Sequence, residues 1–518
     1  MWFVNFLKEF IGAPAILLGL FALLGCILQK KGFTQTLTAT LKTIIGFVVM
    51  QAGAAILTLT LTNLSILFQE LFGLTGAIPL NEATAAILAE ITPKIVAIGS
   101  LIMIFAMLVN ILLAKFSRFK YIYLSGHCLF YMSVMLAGTA SMVGILNINT
   151  IEGYIMAVVT GALCMGIYMT LQPAMLQKRT KQITNSDKLA LAHTGAFGYL
   201  LSANIGELIY KIRKGKVKST ESIKFPKGLA IFRNTTIAIA ILMFIIYMAI
   251  YIPVGIKYEL GKIEPGAAYS ILSSGNWLVN GMIGGIQFAA AVEIILLGVR
   301  TFIAEIVPAF KGVSQRMIKD SKPGVDCPVV FPYAPNAVII GFISAFAGAL
   351  VAMGISFAIG FQVEAIVYIV LPSIMNIFFQ GGTSAVYGNI KGGILGAIIG
   401  PFIQSIIFHL VPIIFLAAKW LPEVSDASTL NQVGWGDTDY LLGAFSAIFG
   451  FMGTAGGYVY LGVLAAVVVG LIVDGTIKDK KIKKLSLTAE TSAEIKTEKI
   501  TKAAKSKEEQ IKGEVKNE

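Results

Sequence analysis

From Pro14 to Val473 the few charges divide the chain into runs of about 20 residues that carry almost none, and that spacing leaves little choice of fold. At 1.5 Å per residue such a run, as a helix, matches the hydrocarbon thickness of a bilayer. Inside a bilayer the backbone must satisfy its own hydrogen bonds, which a helix does. Candidate spans fall at 12–29, 43–66, 95–115, 122–141, 152–172, 189–210, 228–252, 275–299, 335–360, 363–379, 392–418 and 441–473. Those at 189–210 and 363–379 are short or interrupted, so ten or eleven crossings with re-entrant hairpins are expected. Charged residues make up 13% of the chain, against about 25% in a soluble domain, and an all-α polytopic membrane protein is predicted.

The net charge is +13, but its placement says more than its size. Lys30 and Lys31, then Lys115, Arg118 and Lys120, then 178–188, 211–227 and the region from Lys478 onward are basic clusters at span ends, where cytoplasmic loops accumulate Lys and Arg. The stretch Trp420–Tyr440 carries Glu423, Asp426, Asp437 and Asp439 without a cation and reads as external. The C-terminus is then cytoplasmic and the N-terminus outside. Residues 1–475 form the transmembrane permease; 476–518, rich in Lys and Glu, form a charged tail, disordered or partly helical. Cys26, Cys128, Cys164 and Cys327 lie in or beside apolar segments without metal-ligand spacing and read as small core residues. Leu23-Leu24-Gly25-Cys26 resembles a lipoprotein cleavage box, but the sequence after it stays apolar up to Lys30, which favours an ordinary first span.

One stretch breaks the pattern. Arg300–Ala337 is charged and proline-punctuated, yet it holds Phe302, Ile306, Phe310, Val329 and Phe331. Such backbone at membrane depth is tolerated inside protein, beside a water-filled cavity, which is where transport sites form. Arg300–Arg316 is expected to be re-entrant or interfacial, with Arg300, Lys311 and Arg316 drawing anions at an intracellular mouth. Ionisable groups inside the apolar spans are the best pointers to function, because a buried charge costs several kcal/mol unless it faces a cavity or a partner. They are His127, His193, Glu293, Glu305, Asp326, Glu364 and His409. His127 and His193 sit beside glycines and Asp326 beside Pro328, so together they suit a small hydroxylated solute. His409 lies in the smooth apolar run Ile406–Val411 and reads as structural. No P-loop, GxSxG, HExxH or Cys/His cluster is present, so neither a catalytic residue nor a cofactor, a metal or a nucleic acid is expected. Energy must then come from an ion gradient, the membrane potential or a partner protein.

Small residues mark further joints. Gly392, Gly396 and Gly400 form a small-xxx-small face before Pro401, suited to close packing within one protomer or between two. Gly381–Ser384 with Gly388-Asn389 suggests a hairpin tip or a broken helix. The polar or small-residue breaks at Gln51–Glu90 and Gly312–Asn336 correspond loosely between the two halves, as inverted repeats would leave.

Several stretches, in this order, resemble the membrane (IIC) subunit of the ascorbate-type bacterial phosphotransferase system. They are Lys42–Phe47 with Gln51-Ala52-Gly53, Ser125-Gly126-His127 with Phe130, Ala192-His193 with Phe197, Gly298–Glu305, Ala309–Arg316, Asp326-Cys327 and Ala334–Ala337. The resemblance covers the membrane region and implies a homodimer with a mobile solute-binding core, embedded in the lipid of the bacterial cell membrane. It implies L-ascorbate, or a related sugar acid, as solute, phosphorylated by a cytoplasmic IIB partner that a IIA protein supplies; the relay residues then lie on IIA and IIB. His127, His193 and Asp326 match solute-contacting positions. Ala54 stands where the family has serine, and Tyr131 and Thr194 where it has glutamine, so these three are candidate solute positions with altered hydrogen-bonding capacity. The rival reading is an ion-coupled secondary transporter in which Asp326, His127 and His193 relay protons.

Overall fold

The computed structural model describes residues 13–73, 75–77, 81–142, 144, 147–224, 231, 234–318, 321–360, 368–418 and 435–478. Residues 479–518 of the expected tail, Glu364, Glu423 and Asp426 lie outside these residues, and so do the side chains of Lys311 and Arg316. The helices are α1 (Pro14–Leu28), α2 (Phe33–Phe72), α3 (Asn81–Ile91), α4 (Pro93–Phe116), α5 (Gly126–Met142), α6 (Ile151–Thr184), α7 (Ala196–Ile212), α8 (Thr235–Glu259), α9 (Ala267–Ser273), α10 (Trp277–Met317), α11 (Pro335–Gly360), α12 (Gly382–Ala417) and α13 (Leu441–Ala447), followed by a helix over 453–478. Among the described residues eight helical stretches are long and apolar enough to cross a membrane. The chain is an all-α polytopic membrane protein.

Two long helices, α2 and α10 of 40 and 41 residues, pack along each other, and α8 packs on α10. Glycines at the crossing bring the backbones together: a Cβ on Gly46 would sit 2.7 Å from the Phe302 nitrogen, and one on Gly53 2.8 Å from the Ile295 nitrogen. Arg300–Arg316 is therefore not a separate re-entrant segment; it continues α10, with Phe302 and Ile306 buried and the Phe302 ring 6.0 Å from that of Phe47. Charge alone does not end a helix whose apolar stripe remains in register. Glu305, spaced wrongly for Arg300, pairs instead with Lys42 of α2 at 3.7 Å. Gln51 likewise lies inside α2, so the break expected from Gln51 begins only at Gly73, in the left-handed conformation that closes the helix.

The real interruptions are extended segments. Tyr121–Tyr123 (β2), Ala190–Leu191 (β3) and Lys322–Val325 (β4) form a parallel sheet with β4 central, registering Tyr123 with Gly324 and Leu191 with Val325. Thr75–Ala77 (β1) pairs in parallel with Tyr368–Val370 (β5). Unpaired strand edges are costly away from water, and side-chain amides cover them here. Asn110 of α4 donates to the Tyr121 carbonyl (3.1 Å) and accepts from the Tyr123 N–H (3.2 Å), while Gln177 of α6 donates to the Leu189 carbonyl (3.2 Å).

The glycine-rich region makes a hairpin. Ile374–Asn376 enters a π-turn at Ile377–Gly381 and runs into α12, where Gly393 adopts φ 57° and ψ −145°. Gly388 and Gly396 pack on each other, although eight residues of straight helix would hold them about 12 Å apart. The chain therefore reverses at Gly393. Both arms close on α7, with Gly392 against Gly206 and Gly400 against Ser202, so this small-residue face serves packing within one protomer.

Candidate functional site

A parallel sheet aims every chain that leaves its strands in one direction. The chain continues from β2 to Gly126 and α5, from β3 to α7, and from β4 into the 3-10 helix Cys327–Tyr333. His127, His193 and Asp326, the first chemistry-bearing residues beyond those strands, thereby converge. His127 Nε2 lies 3.8 Å and His193 Nε2 3.7 Å from the Asp326 carboxylate, and the imidazole centroids are 5.7 Å apart. Asp326 caps its helix through the Cys327 N–H at 2.7 Å and keeps 42% of its side chain exposed.

The three residues line a cavity of about 110 Å³ with Glu82, Tyr131, Met375, Asn376, Phe379 and four residues of α10. Its walls differ in chemistry. Glu82, the histidines, Asp326 and Asn376 contribute polar groups, while α10 contributes Leu296, Val299, Ile303 and Arg300. Arg300 is exposed to this space and has no ion-pair partner among the described residues. Glu82 is buried, and its Oε2 has no hydrogen-bond partner among them. A buried carboxylate oxygen left open is costly, so a donor arriving in the cavity would be bound. Sequence reasoning passed over Glu82 because it sits in the short helix α3, outside the longest apolar runs; an acid without a nearby cation was the available signal.

The imidazoles are oriented from behind. His193 Nδ1 lies 2.7 Å from the Thr194 carbonyl and 2.9 Å from the Tyr199 hydroxyl, while Gln172 donates to the His193 carbonyl at 2.9 Å. A carbonyl only accepts, so Nδ1 carries a proton and Nε2 is left for the cavity. His127 touches Cys128 (3.4 Å) and Ser125 (3.5 Å) through looser contacts. Tyr131 lines the cavity, but its hydroxyl is engaged with Thr194 Oγ1 at 2.8 Å and Cys128 at 3.1 Å. Thr194 is fully buried behind it, and Ala54 is buried within α2; neither is among the lining residues. The donor atoms of His127, Cys128 and His193, and those of His193, Asp326 and Cys327, lie within 4.8 Å of one another and could hold a metal ion.

His409 is structural, as its apolar run suggested. Nδ1 donates to the Ser405 carbonyl (2.7 Å), and Nε2 accepts from the Ser373 N–H (3.1 Å) at the entry to the π-turn helix. Asp437 and Asp439, at the end of the acidic stretch read as external, are both completely buried within the protein. Glu293 meets the Thr236 hydroxyl at 2.7 Å, away from the cavity.

This arrangement, carboxylates and imidazoles in a polar pocket inside a membrane bundle, suits reversible binding of a small hydroxylated solute. Residues 9–439 match the family described as PTS system sugar-specific permease component, EIIC-GAT. The chain is also 24% identical over 457 residues to the "Ascorbate-specific PTS system EIIC component" of Mycoplasma pneumoniae (strain ATCC 29342 / M129 / Subtype 1), covering 82% of this chain and 68% of that protein. With the family match spanning most of its length, the chain belongs to the sugar-specific permease components of the phosphotransferase system.

Proposed function

We propose that the chain imports L-ascorbate, or a closely related sugar acid, by alternating access, and that a cytoplasmic IIB partner fed by IIA phosphorylates the solute as it emerges. The observation that carries this reading is the convergence of His127, His193 and Asp326 on one cavity that Arg300 also lines. Imidazole and carboxylate groups answer the hydroxyls of such a solute, and a guanidinium favours one that is anionic at neutral pH. The α10 contribution to the lining is mostly apolar, Leu296, Val299 and Ile303, so movement relative to α10 there would break few hydrogen bonds. Phosphorylation adds charge and traps the product inside, which sets the direction of transport. A homodimer, a cytoplasmic C-terminal tail at 476–518 and a permease body at 1–475 belong to the same reading.

Uptake of labelled ascorbate into vesicles tests it. Accumulation should require phosphoenolpyruvate with the IIA and IIB proteins and should survive an uncoupler. Uptake that collapses with the uncoupler, yet proceeds without those proteins, would instead establish the ion-coupled transporter.

A further inference from the structure

The buried carboxylates Asp437 and Asp439 line no part of the cavity, yet their segment reaches three of the elements that build it. Gly436 and Asn81 exchange two hydrogen bonds: Asn81 Nδ2 donates to the Gly436 carbonyl at 3.1 Å, and the Gly436 N–H donates to Asn81 Oδ1 at 3.0 Å. Asn81 opens α3 and precedes Glu82. Asp437 accepts from Gln380 Nε2, in the π-turn that follows Asn376 and holds Phe379. Asp439 accepts from the Ala196 N–H (3.0 Å), the Phe197 N–H (3.1 Å) and the Tyr168 hydroxyl (2.6 Å), and Thr438 Oγ1 accepts from the Gly198 N–H (3.3 Å).

The last group of bonds explains an oddity of α7. Its N-cap is Gly195 at φ 92°, which has no side chain to cap the first turn, while Ala196 and Gly198 in that turn are buried. Asp439 supplies the missing cap from 243 residues away in the sequence, its two carboxyl oxygens accepting from the first-turn amides. Two residues before Gly195 stands His193. A bond within the segment, from the Asp439 N–H to Asp437 Oδ1 at 2.9 Å, locks the two acids to each other.

We propose that Gly436–Asp439 is a clasp that positions the solute cavity, with Asp437 and Asp439 as positioning residues that fix the Glu82, His193 and Asn376–Phe379 walls relative to one another. The proposal rests on the cavity being the solute site. It accounts for two buried acids that have no ion-pair partner among the described residues: each is met by neutral donors arranged around it, which favours one geometry of the three walls over any other.

The test uses the full chain in vesicles with its IIA and IIB proteins, together with the purified chain in detergent. Asp439→Asn turns one accepting oxygen into a donor facing donors, and should raise the KM for ascorbate about tenfold, with the maximal rate changed by less than about twofold. A general loss of folded protein would lower the maximal rate and leave KM alone. Thr438→Ala, which loses the Gly198 amide contact and the hydroxyl's 3.3 Å contact with Asp439 Oδ1, should raise KM about threefold, while Thr438→Ser restores it. Hydrogen exchange in peptides covering 81–90, 193–200 and 376–382 gives a readout that needs no solute, and all three should exchange faster in Asp439→Asn or Asp437→Asn. Unchanged exchange in these peptides, or an unchanged KM in Asp439→Asn, overturns the clasp. A wild-type chain without saturable ascorbate uptake overturns the solute reading, and the exchange experiment still decides the clasp.

Discussion

His409 and His193 are both buried histidines inside a membrane bundle, and the protein uses them in opposite ways. His409 spends both ring nitrogens on backbone groups, the Ser405 carbonyl and the Ser373 N–H. His193 spends only Nδ1, on the Thr194 carbonyl and Tyr199, and leaves Nε2 3.7 Å from Asp326, beyond a direct hydrogen bond. The first arrangement has nothing left to offer a ligand. The second is oriented by its protein partners and open at one atom, which is how a binding imidazole has to be held. The difference lies in the flanking backbone: helix on both sides of His409, a strand end and a left-handed glycine around His193.

The largest effect expected from breaking this contrast is on stability at His409. His409→Ala orphans the Ser373 N–H, so about 1–3 kcal/mol of stability should be lost with KM for solute nearly unchanged. Thermal inactivation in detergent, alongside uptake kinetics, checks both halves; a large rise in KM would place His409 in the site. Asp326→Asn and His193→Ala should do the reverse, weakening solute affinity about tenfold, some 1.4 kcal/mol, while the protein stays folded. Equilibrium binding to the purified chain decides this, and normal affinity in both variants would make these residues structural too.

A smaller effect sharpens the boundary between touching solute and supporting it. Tyr131→Phe and Thr194→Val each remove the same 2.8 Å contact, and each should weaken affinity about threefold. If Thr194 acts only through Tyr131, the double variant will be no worse than either single one; additive losses would mean that each meets the solute separately. The smallest change is expected at Asp187, in the loop before β3. Its carboxylate accepts from Lys322 Nζ (2.8 Å) and Gln177 Nε2 (2.7 Å), and these hydrogen bonds hold its pKa below the usual range. A depressed carboxylate contributes stability above its unfolded pKa and loses that contribution as pH falls through the lower folded value. The Asp187–Lys322 link should thus be intact at neutral pH and fail only in acid. Asp187→Asn should change stability by less than about 1 kcal/mol at pH 7, with the difference from wild type vanishing in an acid titration.

Much of this was open to reading in the chain itself. Long uncharged runs dictated membrane helices, because hydrocarbon leaves the backbone no other partner. The glycine- and proline-flanked positions of His127, His193 and Asp326 marked where those helices break, and the smooth run around His409 marked a structural role. Two kinds of information were not local. Arg300–Arg316 looked like a break because charge was visible in sequence, whereas the stripe it packs against α2 was not. That Asp437 and Asp439 are buried was not legible either, because their neutral partners, Gln380, Tyr168 and the amides of Ala196 and Phe197, lie far away in the chain.

By itself, then, the sequence determined the solvent, the helical class and which side chains are too costly to bury without purpose, since these depend on transfer free energies residue by residue. Only the tertiary structure decided which of those side chains meet. A parallel sheet of a few residues, edged by Asn110 and Gln177, aims three helix starts at one point, and a segment near the end of the described chain caps one of them. Those pairings depend on chain topology, which no window along the sequence contains.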